Sequence, residues 1–329
     1  MINDFLVSIL NGINSFIGNY AMSIVVFTLL IKCLLMPFDY KSRKSMRRMS
    51  SMQPQIAKLQ KRYANDREKL NQKTAELYRK ERINPISGCV PMLLSFPVLI
   101  CMFSAMRYVA NLELANQAIN MLTSTTIFEP ESFLWIKNLW MPDSPFATTI
   151  PDHANLNLIP ADVWATALSN LQGTDILGQL ANLGITADNI NGEIVFTALQ
   201  KLPSYTEHVA LWETMPSLNF LFFNLNIYQA GNGWFLLPIL SAATQFLMTT
   251  TQPQTMPTDP NAPGAGMNKM MKYFFPLFSL YICSSYNAAF ALYWVASNIF
   301  AWVQGIVFNK MFEKQDKVAK EVTMEDSLK

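Results

Sequence analysis

Hydrophobic residues in this chain gather in long runs separated by polar stretches. A helix that crosses hydrocarbon needs about 20 mostly apolar residues, with a lower bound near 17. Residues 21–38 give 18 such residues interrupted only by Lys32, and 89–106 give another 18 that carry no charge but contain Pro91 and Pro97. Residues 234–250 are also uncharged, and 288–308, from Ala288 to Phe308, form the cleanest run. The weakest, 273–285 (YFFPLFSLYICSS), is short and bounded by Lys269 and Lys272; it is needed as a span because the chain must cross back between the third run and the last. The pattern predicts an all-α membrane protein with five transmembrane helices, over 20–38, 89–107, 233–250, 273–285 and 288–308.

The stretches between the runs have an order of their own. FLVSILNGINSFIG (5–18) is too short and too interrupted to cross, and predicts an amphipathic helix lying in the interface within residues 1–19. In the loop 39–88, Pro54 fits the first turn of a helix reaching about Ala64, with Ser51 as its cap. Asn65-Asp66 makes a turn, and a second helix runs from Arg67 to about Arg82, ended by Asn84-Pro85, so that the two form a helical hairpin. Segment 108–232 holds Leu-rich pieces such as ADVWATALSNLQ and DILGQLANLGI, which predict a small folded insert with short helices over 115–232. A loop, 251–272, and a tail, 309–329, complete the chain.

Charge changes the picture from spans to topology. Only 15% of the residues are charged, against about a quarter in an ordinary soluble chain. The net charge of +2 conceals a segregation: residues 39–90 hold 14 Lys/Arg against five Asp/Glu, whereas 111–232 hold two (Lys137 and Lys201) against 11. Basic loops stay in the cytoplasm, so the N-terminus is expected outside, 39–88 inside, 108–232 outside, 251–272 inside and the tail inside. The stretch 1–20 carries Asp4 and no Lys or Arg, with no A-x-A site, so the first span is expected to act as its own insertion signal.

Chemistry enters mainly by exclusion. Cys33, Cys89, Cys101 and Cys283 lie in or beside apolar segments with no CxxC pair, and read as small buried hydrophobes, neither a disulfide framework nor a zinc site. His153 and His208 stand far apart in the chain, with no HExxH, glycine-rich phosphate loop or nucleotide signature anywhere. Acids such as Glu129 and Glu131 belong to a solvated surface. No enzyme, cofactor or metal is expected.

Lys32 is the exception to the apolar pattern. A lysine at the centre of a span costs roughly 2.5–3.5 kcal/mol on insertion scales. It stands six residues before Phe38, about 9 Å along a helix, so its ammonium either snorkels to the interface or faces a wet cavity inside the bundle. Position alone does not separate these. Other spans supply polar company: Thr28 one turn away, Thr244 and Gln245 in the third span, and Trp294, Ser297, Asn298 and Gln304 within an arc of about 120° in the fifth. Interhelical hydrogen bonding would explain Ser297 and Asn298, but not Lys32.

The stretches LLIKCLLMPF, MSSMQPQIAKLQKRY, YRKERINPISGCVPMLLSFPVLICMF and ALYWVASNIFAWVQ resemble, in order, signatures of the YidC/Oxa-type membrane protein insertases. The likeness covers residues 20–110 and 233–312 and is sharpest at Asn84 to Pro91 and at Leu292, Tyr293, Trp294, Ser297, Asn298 and Gln304. It implies the bacterial form without a large N-terminal periplasmic domain, placed in the cytoplasmic membrane. Five core spans would enclose a hydrophilic groove, open to cytoplasm and lipid and closed to the outside. Three departures stand out: Lys32 holds the position of a groove arginine, SYNAAF (285–290) replaces a proline- and glycine-containing turn, and the external insert is long. Lysine keeps the charge but lacks the planar five-donor fork.

The resemblance implies nascent membrane proteins as clients, the lipid bilayer as surroundings, and the ribosome and a Sec-type translocon as candidate partners, with no nucleic acid apart from any ribosome contact. Groove residues would be Lys32, Thr28, Gln245, Trp294, Ser297, Asn298 and Gln304. Client or ribosome recruitment would fall to Arg47, Arg48, Lys58, Lys61, Arg62 and the three-spaced Met46, Met49 and Met52, although packing or lipid headgroups are competing uses for the methionines. The tail, with five Lys and five acids, is not the strongly basic ribosome-binding kind. A small-solute transporter or channel is the alternative; it predicts inverted repeats or broken helices in matching halves, and neither is found. A passive scaffold would make span polarity dispensable.

Overall fold

The computed structural model describes residues 2–81, 90–123, 130–171, 175–207, 217–220, 223–226, 231–253 and 270–327. These form two compact units: Met1–Val26 with Cys101–Leu240 and Leu280–Trp294, and Phe27–Ile100 with Ser241–Ser279 and Val295–Lys329. The Asn84–Cys89 stretch, and with it the expected Asn84-Pro85 helix stop, lies outside the described residues.

Helix α1 (Ile2–Ile17) buries Leu6 and Leu10, one turn apart, while Phe5 and Phe16 stay exposed. It ends where Gly18 takes a positive φ of 71° and donates its N–H to the Asn14 carbonyl, a left-handed C-terminal cap. Asn19 then caps α2 (Tyr20–Ser51), its Oδ1 accepting the Met22 N–H at 3.0 Å. Helix α2 covers the first expected span and continues past Phe38 to Ser51, carrying Pro37 inside it. Thirty-two residues amount to about 48 Å of helix, well beyond a hydrocarbon core of about 30 Å.

Helix α3 (Gln53–Arg62) and helix α4 (Arg67–Lys80) pack as a hairpin, burying Ile56. Pro54 sits in the first turn of α3 as expected, but Met52, not Ser51, occupies the cap position; the Ser51 hydroxyl donates back to the Arg48 carbonyl within the last turn of α2. Because α2 continues to Ser51, no extended residue is left there for a serine cap. Asp66 caps α4, accepting the Lys69 N–H at 3.0 Å.

Helix α5 (Val90–Thr123) has 34 residues and carries Pro97 inside it. The insert adds α6 (His153–Asn157), α7 (Ala161–Asn170), α8 (Ile176–Asn182) and α9 (Gly192–Leu199). Trp164, Ala167, Leu168, Leu180, Val195 and Leu199 are buried at helical spacing, and the Tyr205 hydroxyl donates to the Pro151 carbonyl. Gly192 lies so close to the Leu156 carbonyl that a Cβ would collide with it. The insert also holds a two-stranded antiparallel ladder, β1 (Ser217–Phe220) on β2 (Phe223–Asn226), with Leu218 opposite Leu225. The all-α expectation is corrected to that extent; SLNFLFFNLN alternates apolar and polar residues at its ends, a period of two.

Three helices follow: α10 (Leu236–Thr250), α11 (Phe275–Ser285), preceded by a π-helical turn at Met270–Phe274, and α12 (Ala288–Ser327). One loop organises the starts of two of them. The buried Asp143 carboxylate accepts the Leu237 N–H at 2.6 Å, the Phe235 N–H at 3.2 Å and the Trp135 indole N–H at 3.1 Å, capping α10 from a distant part of the sequence. The N–H groups of Ala288 and Ala289 donate to the Met141 and Leu139 carbonyls, both at 2.9 Å, satisfying the first turn of α12. Asn138 and Asn232 lock this loop: the Asn138 N–H donates to Asn232 Oδ1 at 2.7 Å, and Asn232 Nδ2 donates to three carbonyls, those of Asn138, Met141 and Pro142.

Two carboxylates, Glu113 and Glu131, interact within the first unit, and the half-buried Glu131 corrects the solvated surface expected for it. Glu131 accepts the Tyr20 N–H at 2.6 Å. Burial pushes the Glu113 and Glu131 carboxyls above the ordinary range, and the negative charge of Glu131 raises Glu113 further.

Cys283 is buried and Cys101 half-buried, but Cys33 is exposed, a correction to the expectation that all four are buried. It shares an exposed apolar face of α2 with Leu29, Leu30 and Leu34.

Candidate functional site

The second unit turns the usual order of a protein inside out. Thr28, Thr244, Gln245, Asn298 and Gln304 are buried, whereas Leu34 is 72% exposed and Leu277 68% exposed. On α12, Ile299, Val303, Val307 and Met311 form an exposed stripe at four-residue spacing. Such an arrangement needs a solvent as apolar as the side chains that meet it.

Lys32 projects from the polar side of α2. At 100° per residue, Thr28, Lys32, Asp39 and Arg43 fall within an arc of about 60°. Lys32 is half-buried, and among the described residues it makes no hydrogen bond or salt bridge. The charges that act on it are those of Asp39 and Arg43. Gln304 approaches the Asp39 side chain, while its Nε2 meets no partner in hydrogen-bonding geometry among the described residues.

Arg43 is the part that sequence reasoning missed, having been counted only among the basic residues of 39–90. It is buried. Its Nη1 donates to the Thr251 carbonyl at 3.2 Å and its Nη2 to the Ala301 carbonyl at 3.3 Å. Thr251 directly follows the last residue of α10, so its carbonyl is one of the orphan acceptors of a helix C-terminus, where a cation is favoured. Asn309 Nδ2 donates to the same oxygen at 3.0 Å. Gly305 makes room for this, since a Cβ there would collide with Thr251 and with the guanidinium. The guanidinium thus ties α2, α10 and α12 together. A signal was present: Asp39 and Arg43 continue the Thr28–Lys32 face at helical spacing.

The remaining expected groove residues are distributed as follows. Asn298 Nδ2 reaches the Thr244 hydroxyl at 3.4 Å and the Ser241 carbonyl at 3.5 Å, so the third and fifth expected spans are bridged by polar contacts. Gln245 is buried beside Thr244 on α10, and Ser297 is half-buried next to Asn298. Trp294 belongs to the first unit, packed against Phe290 at 5.6 Å between ring centroids, with its Nε1 unpartnered among the described residues.

The recruitment set separates into two groups. Arg48, Lys58, Lys61 and Arg62 are exposed. Arg47 instead pairs with Asp316 at 2.7 Å and lies over the Phe312 ring, 5.6 Å from its centroid. Tyr40 joins the same contact through Phe308, Phe312 and Gln315, so the tail end of α12 is tied to α2. Met49 and Met52 are buried and present no surface to a client; Met46 is half-buried. Met49 lies in the last turn of α2 and Met52 between α2 and α3.

The sequence matches the 60Kd inner membrane protein family over residues 12–175 and 194–316, which is most of the chain. The chain belongs to this family, that of the YidC/Oxa-type insertases. Membership makes it a multi-pass membrane protein and accounts for the inverted polarity of the second unit. Among relatives named Membrane protein insertase YidC, that of Fusobacterium nucleatum is 41% identical over 107 residues, covering 32% of this chain and 52% of that protein. The one from Chlorobaculum parvum is 25% identical over 311 residues, covering 94% of this chain and 36% of its own length. A third, from Clostridium perfringens, is 36% identical over 133 residues, covering 40% and 49%. The chain therefore spans about half or less of the length of these curated relatives.

Proposed function

We propose that this protein inserts client proteins into the bacterial cytoplasmic membrane. In this reading five spans, over 20–38, 89–107, 233–250, 273–285 and 288–308, enclose a hydrophilic groove open to cytoplasm and lipid, with the N-terminus outside and the C-terminus inside. A hydrophilic segment crosses hydrocarbon badly because its polar groups lose water without replacement. A wet groove partway through the membrane shortens that path, and Lys32 attracts acidic residues in the client's short tail. The client's apolar helix then leaves along the third and fifth spans, driven by its own burial in lipid.

The observation that carries the reading is Lys32: a half-buried ammonium on the polar face of an otherwise apolar helix, with no bonded partner among the described residues. The exposed Lys58, Lys61 and Arg62 on the α3–α4 hairpin suit client or ribosome recruitment, with a Sec-type translocon as a further partner. The test is insertion of a purified single-span substrate with an acidic tail into proteoliposomes, scored by protease protection of the tail. Wild type protects the tail, and Lys32→Glu abolishes protection. Full activity of Lys32→Glu would refute the charge role.

A further inference from the structure

We propose that Asp39 is a built-in counter-ion to Lys32 that sets which client tails the groove accepts. This inference rests on the insertase reading above. Asp39 follows Lys32 by seven residues on the continuous helix α2, which places it two turns on, within about 20° of the same direction and about 10 Å along the axis. Arg43 follows by four more, but its Nη1 and Nη2 each donate to a main-chain carbonyl, those of Thr251 and Ala301. Arg43 is thereby held as a fixed part of the framework. Lys32 has no such bond among the described residues, so the carboxylate of Asp39 acts on an ammonium that is still free to be recruited. Gln304 on α12 approaches Asp39 from the facing helix.

The consequence is a competition. An acidic client tail that reaches Lys32 meets a cation already partly neutralised, and meets a like charge two turns further along. Both effects weaken the preference for acidic tails and leave neutral tails unaffected. A single cation without this neighbour would favour acidic tails strongly. Asp39 therefore broadens the client range at the expense of charge selectivity.

The experiment compares matched single-span substrates whose tails carry either two acids or none, inserted into proteoliposomes by the full chain. For charges about 10 Å apart at an effective dielectric near 20, Asp39→Asn should raise the acidic-to-neutral insertion ratio by roughly fifteenfold. Asp39→Glu keeps the charge and should keep the wild-type ratio. Asp39→Ser is a second neutral variant, to be read alongside should Asp39→Asn not accumulate. In a Lys32→Gln background only the like-charge effect is left, so Asp39→Asn should raise the ratio by a smaller factor than it does beside Lys32. An unchanged ratio in both neutral variants, with Lys32→Gln still lowering it, overturns the role of Asp39 and leaves the groove cation standing. A ratio indifferent to Lys32→Gln as well overturns the reading on which this rests. A shift reproduced by Asp39→Glu assigns the effect to altered packing and also overturns the proposal.

Discussion

The insert and the helical unit around Lys32 obey opposite rules of burial. In the insert, Trp164, Leu168, Val195 and Leu199 are buried, while Ser169, Gln179 and Asp188 face solvent. In the helical unit Thr244, Gln245, Asn298 and Gln304 are buried, and Leu34, Leu277, Ile299 and Val303 are exposed. A single physical rule produces both, namely that each surface matches its solvent. The exposed polar residues of the insert suit water, and the exposed apolar residues of the helical unit suit the lipid that a multi-pass membrane protein meets, so the same chain folds with two polarities. Burial of a polar side chain thus means different things in the two places: in the insert it needs a special reason, and in the membrane unit it is the expected home of any group that can hydrogen bond.

The largest expected effect tests this contrast directly. Ile299 is central in the fifth expected span and exposed, and Leu158 is exposed in the insert. An acid at the centre of a spanning helix costs about 2.5–3.5 kcal/mol on insertion scales, so Ile299→Asp should sharply reduce the amount of protein integrated into membranes. Leu158→Asp replaces an equally apolar side chain at a water-facing site, where substitutions usually stay within about 0.5 kcal/mol. Quantitative blotting of carbonate-washed membranes distinguishes them. Equal accumulation of the two variants would break the comparison.

A smaller effect concerns Glu113 and Glu131. Their carboxyls are raised by burial above the unfolded value of about 4.5. The folded state therefore binds protons more tightly than the unfolded chain. Between the ordinary Glu value and the raised one the folded form carries more protons, so stability falls as pH rises through that window and stays reduced above it. Acidifying from neutrality towards about pH 5 should raise the melting temperature of the detergent-solubilised protein. Glu113→Gln should raise it at neutral pH and flatten the dependence. A melting temperature that drops on mild acidification, in wild type but not in Glu113→Gln, would reverse the assigned sign.

What the sequence made legible follows the same contrast. Long uncharged runs announced the helices because hydrocarbon leaves the backbone few other choices, and the Pro54 and Asn65-Asp66 punctuation located the hairpin. The ends were harder to read. Helix α2 overruns its apolar segment, going on from Phe38 to Ser51, since a polar sequence can go on being helical once the helix is nucleated. Arg43 was hidden in the basic run because nothing local distinguishes a guanidinium that finds the Thr251 and Ala301 carbonyls from one left in water. Asp143 capping α10 was invisible for the same reason: its partners, the Phe235 and Leu237 N–H groups, lie on the far side of the whole insert in sequence. The register of Thr28, Lys32, Asp39 and Arg43 could have been read, and would have shown that the polar face does not end with the apolar run.

The smallest expected effect asks what the buried polar contacts of the membrane unit contribute. Asn298 makes long contacts, 3.4 Å to the Thr244 hydroxyl and 3.5 Å to the Ser241 carbonyl. Polar contacts between membrane helices average about 0.6 kcal/mol, because the separated helices also find partners in the membrane. The Thr244 hydroxyl retains its own bond to the Ser241 carbonyl at 3.2 Å, so Asn298→Leu, which keeps the same heavy-atom branching, strands no donor. It should cost about 0.6 kcal/mol in a reversible unfolding titration in mixed micelles, and Asn298→Leu combined with Thr244→Val should cost little more. A loss of several kcal/mol would mean that Asn298 is held as tightly as a polar group in a water-soluble core, and the two regions would then differ in their surfaces but not in what holds them together.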